Sequence, residues 1–216
     1  MRRSNKVLLA LGGNAIQRPL DHGTTGEMRS NIKKSAESIA RMVHRLEPIQ
    51  LTLAHGNGPQ VGAIFKRNQL CKDTIPAWYL EYCVAASEGM IGYMFQQELS
   101  NALVGRSIAT LITQMVVDAN DPAFLSPSKP IGCFYSEKEA QEMMTYSDAS
   151  MKEDAGRGWR QVVPSPTPIR LVEGVAVKAL IDAGVIVIAA GGGGIPVVED
   201  HGILHGLDGV IGKLLL

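Results

Sequence analysis

The chain has 216 residues, with 21 Lys and Arg against 21 Asp and Glu, and 45% of its residues are apolar. This length allows a sizeable buried core, and the balanced charge argues against a nucleic acid or an anionic membrane surface as the main partner. Its three cysteines, Cys71, Cys83 and Cys133, form no C-x-x-C pair, which favours a reducing compartment over a disulfide framework or a zinc site. The apolar runs are too short or too rich in glycine to cross a membrane, so we expect a cytoplasmic protein.

Four short apolar runs without polar alternation predict strands that are covered on both faces. These runs are residues 7–11, 49–54, 108–113 and 185–190. Apolar residues at helical spacing predict a helix whose stripe runs from Ile32 to Leu46, a second helix over 78–103 and a third over 172–183. Alternating strands and helices are typical of a parallel sheet with helices on both faces, so the fold class is α/β, an open αβα sandwich.

Residues 118–168 depart from this alternation because prolines and glycines are scattered through them. Ser136 can cap a short helix that ends near Tyr146, and residues 160–163 read as a strand. We expect residues 1–216 to form a single domain, with residues 118–168 inserted as a protruding lid subdomain.

Three of the four predicted strands run directly into a glycine turn, at residues 12–14, 56–58 and 191–194. In a parallel sheet these turns lie together at the carboxyl edge, where open α/β folds bind ligands. Pro59 suits the first position of a helix, whose N-terminus is a natural phosphate site. Glycines also simply make tight turns, but three such turns on one edge favour a pocket for a phosphate or carboxylate.

Two segments come close to a standard phosphate-binding motif, but neither matches it. The segment from Gly56 to Gly62 has one residue too many for the dinucleotide motif G-x-G-x-x-G, which disfavours a nicotinamide dehydrogenase. The segment from Gly206 to Lys213 has one residue too many for a P-loop.

The histidines leave alternatives open. His201 and His205 are four residues apart, as metal ligands on a helix would be, but the glycine that follows each of them favours an exposed hairpin instead. His55, directly before a glycine turn, suits either a ligand contact or a packed histidine at the sheet edge.

Several segments in order along the chain resemble the signatures of the carbamate kinase family, within the amino-acid kinase superfamily. They are Leu8-Leu9-Ala10-Leu11-Gly12-Gly13-Asn14-Ala15, His55-Gly56-Asn57-Gly58-Pro59-Gln60-Val61-Gly62, Glu88-Gly89-Met90-Ile91-Gly92-Tyr93, Lys129-Pro130-Ile131-Gly132, Val162-Val163-Pro164-Ser165-Pro166 and Gly191-Gly192-Gly193-Gly194-Ile195-Pro196. The resemblance covers nearly the whole chain.

The resemblance implies reversible phosphoryl transfer between carbamoyl phosphate and ADP, forming ATP and carbamate, in catabolism of the arginine deiminase type. It also implies a homodimer with small-molecule substrates and Mg²⁺ bound with the nucleotide; no residue of the chain is predicted to bind a metal. The implied binding residues for phosphate and carbamate are Gly12, Gly13, Asn14, Gly56, Asn57 and Gly58, with Gly192 and Gly193 lining the route to the nucleotide. Lys129 and Lys213 match the family's catalytic lysines, and Arg157 has a supporting role.

The chain departs from the family pattern near Leu216. We expect it to lack the C-terminal part that carries most of the family's nucleotide site, and Gly212 and Leu214 stand where the family has aspartates. An alternative is therefore a catalytically impaired, truncated paralogue that only binds carbamoyl phosphate or a similar anion. Missing strands would also expose residues 185–190 as an apolar sheet edge.

Overall fold

A computed structural model describes residues 5–147 and 149–212 of the chain. In chain order the strands are β1 Asn5–Leu11, β2 Ile49–His55, β3 Ile108–Thr110, β4 Gln114–Val117, β5 Lys129–Tyr135, β6 Ser150–Glu153, β7 Trp159–Val163, β8 Pro168–Leu171, β9 Ile186–Ile188, β10 Ile195–Asp200 and β11 Ile203–Gly206. The helices are α1 Thr25–Leu46, α2 Gln60–Leu70, α3 Leu80–Ala102, α4 Glu137–Tyr146 and α5 Gly174–Asp182.

The chain divides into two compact units. The described residues of the first unit are 5–58, 88–114 and 171–194, and those of the second are 59–87, 115–147, 149–170 and 195–212. The first unit contains all three predicted glycine turns. Residues 118–168, the predicted lid, contribute to the second unit, and their role as a lid stays a prediction.

The first unit is built on a parallel sheet with strand order β1-β2-β9-β3. Its pairing aligns Leu11 with His55 at the carboxyl ends of β1 and β2, and Ile188 of β9 pairs with Leu53. All four predicted strands are present, although β3 ends at Thr110 rather than at residue 113. The predicted parallel sheet is confirmed.

Helices cover this sheet on both faces. Ile186 and Ile188 pack with α1 and α3 in one apolar core, which includes Ile32, Phe95 and Leu99. Val187, which points to the opposite face because side chains alternate along a strand, packs with residues of α5 in a second core. The αβα sandwich predicted from the sequence is therefore confirmed in this unit.

The prediction of an exposed apolar edge at residues 185–190 is wrong. Strand β9 is hydrogen-bonded to β2 on one side and to β3 on the other, and all three of its residues are buried. The prediction took the last strand of this unit in sequence to lie at the sheet edge, whereas β9 lies between the earlier strands β2 and β3.

The second unit contains strands that the sequence did not indicate, among them β5 and β6, beside the strand predicted at residues 160–163, which is present as β7. Strands β5, β7 and β6 form an antiparallel sheet in that order, with Lys129 opposite Val163. Strand β5 was not predicted because it contains Pro130 and Gly132, which are unusual in strands. Pro130 lacks an N–H, which is tolerated here because β5 lies at the edge of its sheet. Lys129 is thus the first residue of a strand.

Two local predictions in the second unit are confirmed. Ser136 accepts a hydrogen bond from the Glu139 N–H, and Glu139 reaches back to the Ser136 N–H, so a capping box starts α4. Strands β10 and β11 form an antiparallel hairpin whose turn holds His201 at φ 49°. No helix in the described part of the chain is long and apolar enough to cross a membrane.

Candidate anion-binding site

The first two glycine turns meet at the carboxyl edge of the parallel sheet. Strands β1 and β2 end side by side, and the Gly56 N–H donates to the Leu11 carbonyl at 3.0 Å. A Cβ added to Gly13 would lie 4.0 Å from the Gly58 Cα, and one added to Gly56 would lie 3.9 Å from the Gly13 N. The structure thus brings together the two turns that the strand order predicts to be neighbours.

Backbone N–H groups are available in the first turn. Residues Gly13–Ala15 form a short 3₁₀ helix with Gly12 in extended conformation before it, and the first N–H groups of a helix have no partner within the helix. No hydrogen bond of the described chain uses the N–H of Gly12, Gly13 or Asn14, and all three residues are exposed. Such free N–H groups are suitable donors for an anion.

Packing within the protein does not require glycine at Gly12 or Gly13 of this turn, or at Gly56 of the next. A Cβ added to Gly12 would have nothing within 4 Å, and the nearest atoms to one added at Gly56 are at 3.9 Å, an ordinary contact. Gly12 has φ −73°, which any residue can adopt. The space beside Gly12 is therefore open for a ligand to approach the backbone.

The third turn differs, because all four of its glycines are buried. A Cβ at Gly192 would lie 2.1 Å from the Asn57 side-chain amide, and one at Gly191 would lie 2.5 Å from Glu88 Cγ. Gly192 also has φ 63°, in the left-handed region that favours glycine. Here the glycines are required by the side chains packed against them, and Asn57 links this turn to the second one.

A buried glutamate of α3 holds the third turn. Glu88 Oε1 accepts hydrogen bonds from the Gly191 N–H at 3.0 Å, the Thr113 N–H at 3.2 Å and the Thr113 hydroxyl at 2.5 Å. The Thr113 Oγ1 in turn accepts from the Ala190 N–H at 3.0 Å. This network fixes Ala190 in a left-handed conformation, φ 52°, that is uncommon for alanine.

Burial shifts the pKa of two groups beside the third turn, Glu88 and His55. Loss of solvent raises the pKa of Glu88 to about 7, although the hydrogen bonds from Thr113 and Gly191 oppose the shift and Glu173 adds to it. Burial also lowers the pKa of His55, so its imidazole is neutral. His55 Nδ1 lies 3.0 Å from the Gly56 carbonyl, and a carbonyl only accepts, so Nδ1 carries the proton. His55 is thus a packed histidine within the protein.

Sequence reasoning assigned no role to Glu88 or Thr113. A signal was present for Glu88, because it follows Val84 by four residues and precedes Ile91 by three, which places a carboxylate on the apolar stripe of a helix. A charged residue on such a stripe needs partners. Thr113 carried no comparable signal.

The predicted lysine and arginine of the second unit have different surroundings. Lys129 is exposed, and no described carboxylate lies within ion-pair distance of it. Arg157 pairs with Asp154 at 2.9 Å and lies over the Phe134 ring, with its carbon Cζ 5.1 Å from the ring centroid. Lys213 lies outside the described residues.

No group of three His, Cys, Asp or Glu side chains between residues 5 and 212, Asp148 apart, is placed to hold a metal ion. The described residues therefore do not fit a metal site held by the protein.

Comparison with known proteins identifies the family. The chain is 45% identical over 214 residues to a carbamate kinase of Pyrococcus horikoshii, a match that covers 96% of this chain and 68% of that relative. It is 46% identical over 217 residues to a carbamate kinase-like protein of Escherichia coli. The chain belongs to the carbamate kinase family. No protein-family model matches it.

Solved structures of the family have the same fold. A carbamate kinase from Giardia lamblia bound to citric acid superposes with a TM-score of 0.91 and 41% identity, covering 99% of this chain and 70% of that chain. The same Giardia enzyme bound to AMP-PNP gives a TM-score of 0.85. The amino-acid kinase-like fold expected from the family signatures is therefore confirmed, over a chain that spans about two thirds of its relatives' length.

Proposed function

We propose that the protein is a carbamate kinase that transfers a phosphoryl group between carbamoyl phosphate and ADP, with Mg²⁺ supplied with the nucleotide. The observation that carries the proposal is the set of unused N–H groups at Gly12, Gly13 and Asn14, on an exposed turn where a Cβ at Gly12 would meet open space. Membership of the carbamate kinase family gives the class of anion that this turn binds. A role in arginine catabolism and a homodimeric assembly are part of the same proposal.

The turn residues bind and orient the anion in this proposal. N–H groups of the Gly12–Asn14 turn donate to the phosphate or carbamate oxygens, and the Gly56–Gly58 turn forms the adjoining wall. Such donors are fixed by the sheet before the substrate arrives, so they need no reorganisation during the reaction. Gly192 and Gly193 line the route to the nucleotide.

Lys129 supplies positive charge to the phosphoryl group during transfer. Phosphoryl transfer depends mainly on positioning and on neutralising the charge of the equatorial oxygens. The Lys129 ammonium suits this role because it is exposed and no described carboxylate neutralises it. Arg157 is already paired with Asp154, so its contribution is indirect. Lys213 is proposed as the second phosphate-binding lysine.

A second function is an anion-binding protein that does not catalyse transfer. It is favoured by Gly212 and Leu214, which replace aspartates of the family pattern. Such a protein keeps the Gly12–Asn14 turn and binds carbamoyl phosphate without turnover.

The test is ATP formation from carbamoyl phosphate and MgADP by the purified chain and by Lys129→Ala. We expect Lys129→Ala to lower kcat by about 100-fold, the usual effect of losing one charge-stabilising group, with an unchanged melting temperature because Lys129 packs in no core. Lys152→Ala is the matched control, since Lys152 is an exposed lysine of the same three-stranded sheet. It should retain full activity.

The outcomes separate the two functions. Lack of turnover together with thermal stabilisation by carbamoyl phosphate supports the binding protein and contradicts the kinase. Lack of both contradicts the anion site itself. Equal turnover of Lys129→Ala and the unmodified chain removes Lys129 from the mechanism.

A further inference from the structure

Asn31 is a buried polar residue on the apolar face of α1. The residue is 6% exposed, and its neighbours on this face, Met28 and Ile32, belong to the apolar core. Asn31 Nδ2 donates hydrogen bonds to the Ile16 carbonyl at 3.2 Å and to Asp21 Oδ2 at 2.6 Å. A buried amide without partners would destabilise the fold, so these two bonds explain how Asn31 is tolerated among apolar residues.

The two acceptors fix the direction of this amide. The hydrogen bond from the Arg18 N–H, together with the bond from Asn31, lowers the pKa of Asp21, so Asp21 is a carboxylate at neutral pH and can only accept. The Ile16 carbonyl also only accepts. The NH₂ group of Asn31, and not its oxygen, therefore faces both partners.

The bond to Ile16 continues to the first glycine turn. A peptide unit is planar, and in its trans form the C=O and the N–H point in opposite directions. The Ile16–Gln17 unit accepts from Asn31 at its carbonyl and donates from the Gln17 N–H to the Gly13 carbonyl at 2.8 Å. The Gly13–Asn14 unit accepts this bond and ends in the Asn14 N–H, which no hydrogen bond of the described chain uses. Three amide groups thus run head to tail from a buried helix residue to the anion site.

We propose that Asn31 is a positioning residue for the anion site, whose side-chain amide fixes and polarises the Asn14 N–H through the two intervening peptide units. Amide groups that are hydrogen-bonded head to tail polarise one another, which strengthens the last donor. Asn31 does not contact the anion itself. The inference rests on the proposed function, because it explains how one donor to the anion is held.

A second restraint acts on the same loop, residues 16–24, without joining this chain of hydrogen bonds. The Glu27 carboxylate accepts from the His22 N–H at 3.3 Å and from the Thr24 N–H at 2.9 Å. It therefore holds the end of the loop next to α1, whereas Asn31 holds the end next to the glycine turn. Glu27→Ala loosens the loop and leaves the path from Asn31 to Asn14 intact, which makes it the matched control.

Scalar couplings across hydrogen bonds test the chain of amides directly. In the full chain labelled with ¹³C and ¹⁵N, we expect a coupling between the Gln17 nitrogen and the Gly13 carbonyl carbon, both in the unmodified protein and in Glu27→Ala. Asn31→Leu is similar in shape but cannot donate. It should lose this coupling, and its Asn14 amide proton signal should move upfield. A purely structural role for Asn31 would leave the coupling in place.

Binding of sulfate tests the consequence for the anion site. The affinity of Asn31→Leu for sulfate should be about five-fold weaker than that of the unmodified chain, an effect of the size that residues coupled through a hydrogen-bond network have. Glu27→Ala should bind sulfate as tightly as the unmodified chain.

The proposal is overturned if Asn31→Leu keeps the coupling between Gln17 and Gly13, or loses it with unchanged sulfate affinity. It is also overturned if Glu27→Ala weakens sulfate binding as much as Asn31→Leu does, because a loosened loop would then explain both. If Asn31→Leu does not fold, Asn31→Ala takes its place, and lack of a coupling between Asn31 Nδ2 and the Ile16 carbonyl carbon in the unmodified chain contradicts the first bond. Failure of sulfate to bind the unmodified chain contradicts the anion site, while the couplings still decide whether Asn31 holds the turn.

Discussion

The turn at Gly12–Asn14 and the turn at Gly191–Gly193 follow strands of the same parallel sheet, but their glycines have different causes. The first turn is exposed, its N–H groups are unused and a Cβ at Gly12 would meet nothing. The third turn is buried, and a Cβ at Gly191 or Gly192 would collide with Glu88, His55 or Asn57. Packing thus explains one glycine run after a strand and not the other, where we propose the anion site.

The difference shows how a glycine should be interpreted. Where a side chain of the protein occupies the place of the missing Cβ, the glycine is explained without a ligand. Where that place is open and the neighbouring N–H groups are free, the backbone is accessible to a ligand. In this molecule the packed turn contacts the Gly56–Gly58 turn, which lies beside the open one, because the Asn57 side chain packs against Gly192.

The largest expected effect that separates the turns is on stability. Gly192→Ala places a Cβ 2.1 Å from the Asn57 side chain at a φ of 63°, and overpacking together with the left-handed backbone should cost about 3 kcal/mol of the free energy of unfolding. Urea denaturation measures this change.

Gly12→Ala is the matched control, since its φ of −73° suits alanine and the added Cβ contacts nothing. Its free energy of unfolding should change by less than about 0.5 kcal/mol. Equal losses in the two variants would show that the first turn is also a packing feature.

The next effect concerns the pH dependence of stability through Glu88. Its pKa is raised from 4.5 to about 7 in the folded protein, so its contribution to stability is complete below about pH 4.5 and is lost as the pH rises through 7. Between pH 5 and pH 8, the free energy of unfolding of the unmodified chain relative to Glu88→Gln should therefore fall by roughly 2 to 3 kcal/mol.

The comparison with Glu88→Gln isolates this group. The neutral, buried His55 has a lowered pKa and acts in the opposite direction, with stability that rises with pH, but it is present in both proteins. Denaturation at a series of pH values gives the difference directly. A difference that stays constant with pH would mean that Glu88 is ionised throughout.

Much of the first unit could be predicted from the sequence, because local patterns determine it. Apolar runs predicted the four strands, and helical spacing predicted α3 and α5 close to their observed bounds. It also predicted the C-terminal part of α1, which begins at Thr25, well before the predicted stripe. Strand order could not be predicted in the same way, because the place of β9 between β2 and β3 depends on contacts between distant segments.

The second unit was harder to predict because its strands lack the usual pattern. Pro130 and Gly132 interrupt β5, and β6 is polar, with a buried Met151 between exposed residues. At the site, the positions of the glycine turns followed from the strand ends, but the packing of Asn57 against Gly192 and the buried Glu88 network did not. Those contacts join residues far apart in the chain.

The central claim is that the free N–H groups of the first turn bind an anion, and an amide NMR titration tests it most directly. With inorganic phosphate added to ¹⁵N-labelled protein, the account predicts saturable shifts of the Gly12, Gly13 and Asn14 amide signals, while the Gly191 amide, bonded to Glu88, shifts little. Unchanged signals for residues 12–14 at concentrations that saturate binding elsewhere on the protein would contradict the account.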